Sequence, residues 1–348
     1  MWTKRCLKSI LKIKNGTDYK KVENKKGKYG VYGTGGLITH TDNFLIDKPT
    51  VCIGRKGTIN RPMFFNTPIW TVDTLFYSDI KNADPRFVFY LFQTINWNKY
   101  NQSTGVPSLT SEGIEKINSF IPNSITEEKR ISSFLSLIDK RINILNNKIS
   151  ILKKYKEGLI QQALKSTIKV PLNKLINESS NKTVTNNQYV LLSSTSKGIF
   201  LQSDFFNHQV ASKNNIGYKI LEEGQIVFSP QNLWLGNINL LTKYKIGCVS
   251  PSYKIFDINT KIVDSNYLIE IMRTKLFLHK YKLCSEQGAS VVRRNLDLDQ
   301  FLNIRVPIPS NDKFYSLLKE INYLIEKESS KLNIIISIKN YLLKNMFI

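Results

Sequence analysis

The sequence predicts an α+β fold: two mixed α/β globular domains in tandem, separated by two long helices that pair as an antiparallel coiled coil, with a pseudo-two-fold relation between the halves. Three observations predict it. An apolar heptad runs without a miss through Ile131, Leu135, Ile138, Ile142, Leu145, Ile149 and Leu152, and Leu159 continues it past polar Lys156. A second 3–4 register, Leu317, Ile321, Leu324, Ile335, Ile338 and Leu342, comes late in the sequence, with Glu328 and Lys331 interrupting it. Finally, Leu109, Ile114, Ile117, Ile121 and Pro122 recur as Leu296, Phe301, Ile304, Ile308 and Pro309, each pair 187 residues apart.

Each element follows from local chemistry. Residues 28–36 read as a strand then a glycine turn, and residues 50–54 and 74–77 are rich in apolar and β-branched residues, as strands are. Residues 87–97 read as a short helix. Pro122 ends what precedes it, and Ser124 or Thr126 followed by Glu127 and Glu128 opens a helix. That helix runs from about Thr126 to Leu164, a rod of roughly 55 Å at 1.5 Å per residue. Residues 188–192, 225–228 and 252–256 read as strands, and 266–281 as a helix. The second long helix follows Ile308-Pro309, as the first follows Ile121-Pro122. The repeat extends to Leu152-Lys153-Lys154-Tyr155 against Ile338-Lys339-Asn340-Tyr341, 186 residues apart, and more loosely to residues 85–91 against 265–271. An a/d seam needs a partner seam. The repeat supplies one within the chain, with homodimerisation as the alternative.

Composition bounds the function. At 348 residues and 41% hydrophobic content the chain holds about two domains and is not wholly disordered. Its 50 Lys and Arg against 27 Asp and Glu leave a charge of +23, which points first to polyanions and second to anionic membranes. No apolar run reaches the roughly 20 residues of a membrane span, and the first residues lack a signal-peptide core, so a cytoplasmic protein is expected. Cys6, Cys52, Cys248 and Cys284 are scattered, which suits reduced structural thiols. With only His40, His208 and His279, no zinc site is expected.

Several motifs carry chemistry. Gly33-Thr34-Gly35-Gly36 and Gly54-Arg55-Lys56-Gly57 fit neither phosphate-loop pattern; they read as glycine turns rimmed by basic residues. Tyr32, Thr34, Arg55, Lys56 and Arg61 are then candidates to face DNA, or solvated surface. Arg293 and Arg294 suit phosphate or guanine, or a structural role. Gln231 and Asn232 suit adenine edges, or a turn cap. Catalytic signatures are missing: there is no Asn-Pro-Pro-Tyr-like tetrapeptide for a flipped adenine and no Gly-x-Ser-x-Gly elbow. Asp18 with Glu23 and Lys25 is only a faint echo of a nuclease set. No catalytic residue and no metal ligand is assigned.

Together these features resemble the specificity subunit of type I restriction-modification systems, over nearly the whole chain. The residues that carry the resemblance are 29–36, 53–59, Gly105-Val106-Pro107-Ser108-Leu109, the helix from Ile131 to Leu164, Val249-Ser250-Pro251-Ser252-Tyr253, Val292-Arg293-Arg294-Asn295-Leu296 and Ile308-Pro309. The resemblance implies a target-recognition domain at 1–124, a conserved spacer helix at 125–165, a second recognition domain at 166–310 and a second conserved helix at 311–348. It implies that each recognition domain reads half of a bipartite, asymmetric site in double-stranded DNA. The seam residues would pair the helices, set the spacer and dock two methyltransferase subunits, which restriction–translocase subunits join. S-adenosylmethionine, ATP and magnesium would belong to those partners, and this chain would be a non-catalytic subunit without cofactor. Two departures stand out. The second helix lacks the acidic opening of Glu127-Glu128, and it ends Asn-Tyr-Leu-Leu-Lys-Asn-Met-Phe where the first has Lys-Tyr-Lys-Glu-Gly-Leu-Ile-Gln. The alternative reading is a self-contained DNA endonuclease on a duplicated scaffold, which a divalent-metal cleavage assay separates.

Overall fold

The computed structural model describes residues 2–205, 214–288 and 293–347. It divides into two compact units. Unit 1 is Met1–Lys148 with Glu328–Ile348, and unit 2 is Ile149–Lys327. Helices of the α type are α1 (Pro85–Thr94), α2 (Ser111–Glu115), α3 (Ile125–Ala163), α4 (Gln202–Phe205), α5 (Ser265–Met272), α6 (Lys275–Leu283), α7 (Leu298–Leu302) and α8 (Asp312–Met346). Each unit therefore takes part of α3 and part of α8.

Unit 1 is built on an antiparallel sheet in the order Leu11–Lys14, Leu75–Ile80, Thr50–Gly54, Met63–Phe65. The central strand Thr50–Gly54 is buried throughout. Its side chains alternate between two apolar clusters, as a pleated strand requires. Val51 and Ile53 join Phe87, Val88 and Leu91 of α1, whereas Cys52 joins Ile46, Ile69 and Leu75. Asp84 caps α1 by accepting from the Phe87 amide at 2.8 Å, with Pro85 as the first helical residue. Trp2–Cys6 pairs antiparallel with Asn118–Pro122. A three-stranded sheet, Gly36–Thr41, Tyr29–Gly33, Trp70–Thr71, completes the unit's strands.

Unit 2 repeats that plan. Its sheet order is Ile176–Ser179, Lys254–Ile258, Ile226–Phe228, Ile238–Leu240, again antiparallel. Asp264 caps α5 as Asp84 caps α1, accepting from the Tyr267 amide at 2.9 Å. Asp297 caps α7 as Thr110 caps α2. Lys169–Pro171 pairs with Arg305–Pro307, the counterpart of the terminal strand pair in unit 1. The recurrent apolar positions thus mark recurrent elements.

Two predicted elements differ. Residues 188–191 are not strand; the strand is Leu192–Thr195, paired with Gly198–Leu201. A turn precedes it: Asn187 has φ 56°, and the Gln188 side chain accepts from the Val184 amide at 2.8 Å. The helix expected over 266–281 is broken after Met272. Thr274 has extended backbone and caps a fresh start by accepting from Phe277.

The long helices pair within each unit. In unit 1, Leu135 and Leu343 are buried with Tyr90 of α1, and Ile131, Ile138, Leu342 and Met346 pack on them. Asp139 meets Lys339 at 2.7 Å and Lys148 meets Glu328 at 3.0 Å. Ascending α3 from Asp139 to Lys148 thus descends α8 from Lys339 to Glu328, so the pairing is antiparallel. Ile142 and Ile335 are half-buried and Leu145 is buried. In unit 2, Ile160 and Ala163 are buried with Leu318, and Leu164, Phe314 and Tyr315 pack on them. Ile149, Leu159 and Ile321 are buried; Leu152, Leu317 and Leu324 are half-buried.

One seam position is corrected. Ile338 is 47% exposed, and Lys339 turns inward to Asp139. The covered face of α8 is broader than the expected register: Leu317 with Leu318, Leu324 with Ile325, Lys331 with Leu332 and Leu342 with Leu343 are all buried or half-buried, and only at Ile338 is the expected residue exposed while its neighbour Lys339 is covered. Glu328, read from sequence as an interruption, is itself buried in the seam.

Candidate nucleic-acid interface

In unit 1 the strand Thr50–Gly54 runs out into a turn that only glycine allows. A Cβ on Gly54 would stand 2.1 Å from the Thr58 carbonyl oxygen, and Gly57 has φ +87°. The Arg55 and Lys56 amides donate to the Thr74 carbonyl at 2.8 and 3.3 Å. Gly57 donates to the Pro107 carbonyl at 2.8 Å, and Leu109 donates to the Arg55 carbonyl at 2.9 Å. The Thr34 methyl lies 3.1 Å from the point a Gly54 Cβ would occupy, and the Thr34 hydroxyl 3.8 Å from that of Gly57. Three segments far apart in sequence, around Thr34, Gly54–Gly57 and Pro107, therefore meet.

The polar groups at this junction are not equivalent. Lys56, Thr58 and Arg61 are exposed, and Arg55 is half-buried. The Arg55 guanidinium lies 6.0 Å from the Phe76 ring centre and donates to the Asp73 carbonyl at 3.5 Å. Tyr32 is half-buried, its ring centre 4.4 Å from that of Phe65, so the phenol is packed while Thr34 forms the turn.

Unit 2 places a different segment at the same point of its sheet. The strand Ile226–Phe228 leads into a 3-10 turn, Pro230–Leu235, that ends at Gly236 with φ +88° and returns as Ile238–Leu240. Gln231 is exposed. Asn232 is half-buried; its amide donates to the Ser229 carbonyl at 3.1 Å, and its side-chain oxygen is buried without a hydrogen-bond partner among the described residues. Gln231 and Asn232 thus lie in the connection of unit 2 that corresponds to the one carrying Arg55 and Lys56 in unit 1. A hairpin, Ser285–Gln287 with Arg294–Leu296, packs against this turn.

The two adjacent arginines separate. Arg294 donates through Nε to the Ser285 hydroxyl at 2.9 Å and through Nη2 to the Lys282 carbonyl at 3.4 Å. Its guanidinium bonds within and beside the hairpin, which favours the structural role over the phosphate or guanine role that the sequence left beside it. Arg293 is exposed, and its carbonyl accepts from the Gly288 amide at 3.0 Å. Val292 and the residues 289–291 before it lie outside the described residues, as does His208. Sequence reasoning missed the kinship of the two sheet connections, although the 187-residue step from Leu109 to Leu296 already pointed to it: each of those residues sits beside its unit's connection.

Among the described residues no group of three or more His, Cys, Asp or Glu side chains is gathered as metal ligands would be, and no helix is long and apolar enough to cross a membrane.

Residues 1–154 match the family model described as type I restriction modification DNA specificity domain. No curated protein matches the chain. Among solved structures, the type I restriction-modification system S subunit from M. genitalium superposes with a TM-score of 0.70 at 15% identity, covering 100% of this chain and 96% of that one. A chain from a structure on complex assembly and conformational transition of the type I R-M system gives 0.47 at 11% identity, over 99% and 95%. The HsdS subunit from Thermoanaerobacter tengcongensis gives 0.41 at 12% identity, over 99% and 96%. Residues 1–154 are thus similar to the type I restriction modification DNA specificity domain, and the chain as a whole has a fold similar to that of the M. genitalium S subunit.

Proposed function

We propose that the chain is the non-catalytic specificity subunit of a type I restriction-modification complex. Each unit reads one half of a bipartite, asymmetric site in double-stranded DNA. The observation that carries this reading is the repeated sheet connection: one scaffold, used twice, offers Arg55 and Lys56 in unit 1 and the exposed Gln231 in unit 2. Arginine and lysine suit the O6 and N7 of guanine, and glutamine suits the N6 and N7 of adenine. Unlike side chains in like connections predict unlike half-sites. The charge of +23 supports sequence-independent attraction to phosphate.

The paired helices α3 and α8 set the spacer between half-sites and dock two methyltransferase subunits; restriction–translocase subunits join through that core. S-adenosylmethionine, ATP and magnesium act in the partners. The complex works on DNA in the cytoplasm of a bacterial host, with no membrane role. The test is adenine methylation, mapped by single-molecule sequencing in a host that carries a partner methyltransferase with and without this chain. A new bipartite motif with one modified adenine per strand is the expected result. No new motif, with the methyltransferase bound, would sink the reading.

A further inference from the structure

Residues 18–28 of unit 1 form a loop that the candidate interface leaves unused. It carries Lys20, Lys21, Lys25, Lys26 and Lys28, all exposed. Nearby acids are fewer: Asp18, Glu23 and Asp42. Asp18 accepts from the Lys20 amide at 3.3 Å, and Asp42 accepts from the Asn24 side chain at 2.6 Å and the Lys28 amide at 3.4 Å. Two of the three carboxylates thus bond to the loop's own amide groups.

The loop is fixed to its unit. The Asn24 amide donates to the His40 carbonyl at 2.9 Å, and the Asn24 side chain accepts from the Lys26 amide at 3.0 Å. Glu23 bridges to Thr41. A Cβ on Gly27 would stand 2.4 Å from the Thr41 carbonyl carbon, so only glycine permits this approach. Thr17 donates to the Thr71 carbonyl at 2.9 Å and accepts from the Trp70 indole at 2.9 Å.

That anchorage sets a distance. The loop joins the hairpin Tyr29–Gly33/Gly36–Thr41 at the Tyr29–Thr41 end, and the Thr34 turn is at the other. Four strand steps separate them, about 14 Å, which is about four base pairs of duplex at 3.4 Å each. Five ammonium groups on a fixed loop, offset by that span from a turn facing the bases, match backbone phosphates beyond the half-site. We infer that the loop carrying Lys20, Lys21, Lys25, Lys26 and Lys28 is a phosphate clamp, which grips the duplex outside the bases that unit 1 reads. It rests on the DNA-recognition reading above, and it supplies affinity without sequence choice.

The test is a salt titration of binding to a mixed-sequence duplex. It uses the full chain and the variant Lys20→Gln, Lys21→Gln, Lys25→Gln, Lys26→Gln. Each lost phosphate contact removes about 0.9 from the slope of log K against log salt, so the variant's slope is expected to be shallower by up to about 3.6. The methylated motif in the host stays unchanged, and arginine at the four positions restores the slope. If the fourfold variant melts lower than wild type, the two paired variants, 20/21 and 25/26, carry the test at about 1.8 each. An unchanged slope, or a changed motif, overturns the clamp. A wild-type chain whose binding ignores salt would instead overturn the DNA-recognition reading itself.

Discussion

Lys148 on α3 donates to Glu328 on α8 at 3.0 Å, and Lys331 donates to the same carboxylate oxygen at 3.2 Å. A carboxylate with only 4% exposure between two helices is tolerable because two ammonium groups meet it. Their hydrogen bonds hold the Glu328 carboxyl below its ordinary pKa of 4.5. A carboxyl held low adds stability above its ordinary pKa, and that stability is lost as pH falls through the lowered value. Glu328→Gln is therefore expected to lower Tm at neutral pH, with the gap to wild type closing as the buffer is acidified below the ordinary carboxylate range. Thermal melts across that range check it; a gap that persists in acid would contradict the assignment.

Leu135 and Leu343 are buried in one cluster under Tyr90. Leu135→Ala is expected to cost about 2–5 kcal/mol, the usual range for emptying a buried leucine site. Leu343→Ala should also destabilise. Because the two residues share one cluster, the double variant should lose less than the sum of the singles. Denaturant titrations measure all three, and strict additivity would argue against direct packing.

The kinship of the two sheet connections predicts separable specificity. Arg55→Ala should relax the motif in one half-site only, at a cost of about 1–3 kcal/mol. Gln231→Ala should relax the other half only. Methylation maps from hosts carrying each variant decide it. A variant that alters both half-sites, or neither, refutes the assignment of one connection to each half.

Arg294 should behave as a structural residue. Arg294→Lys keeps the charge but cannot span Ser285 and Lys282 together. The expected outcome is a loss of about 1–2 kcal/mol of stability with an unchanged salt dependence of DNA binding. A stable variant with weakened binding would return Arg294 to the interface.

The helix pair should act as a ruler. One heptad inserted after Lys148, with a matching heptad before Glu328, lengthens both helices by about 10.5 Å. The preferred spacer should grow by about three base pairs at 3.4 Å each, with both half-sites kept. Methylation mapping reads the result directly, and an unchanged spacer would count against the ruler.

The α3 seam was legible because seven apolar residues keep the 3–4 step unbroken, and burial or half-burial follows at each. The α8 seam was harder. Glu328 and Lys331 look like defects until Lys148 is known to sit opposite, and a straight helix drifts against a strict heptad, so Lys339 is covered in place of Ile338. The repeat was legible from apolar spacing because caps and core positions recur together, as Asp84 and Asp264 do. The candidate interface was legible only as separate glycine turns. That Thr34 reaches Gly54 and Gly57, and that Pro107 accepts from Gly57, are long-range contacts with no local signature. The fate of Arg294 turned on a hydroxyl nine residues away, across a hairpin that composition does not announce.

Unit 1 draws its last piece from Glu328–Ile348, while the whole of unit 2 lies between. The Phe347 ring stacks at 5.4 Å from Phe87 and meets Trp2 edge-on at 6.1 Å. On the ribosome, Trp2 and Phe87 leave the exit tunnel long before Phe347 is joined to the chain. At about 5–20 residues per second, the roughly 260 residues from Phe87 to Phe347 take on the order of 13–50 seconds to make. The half that is translated first is thus sealed last, and its aromatic surface waits open until the second half has been synthesised.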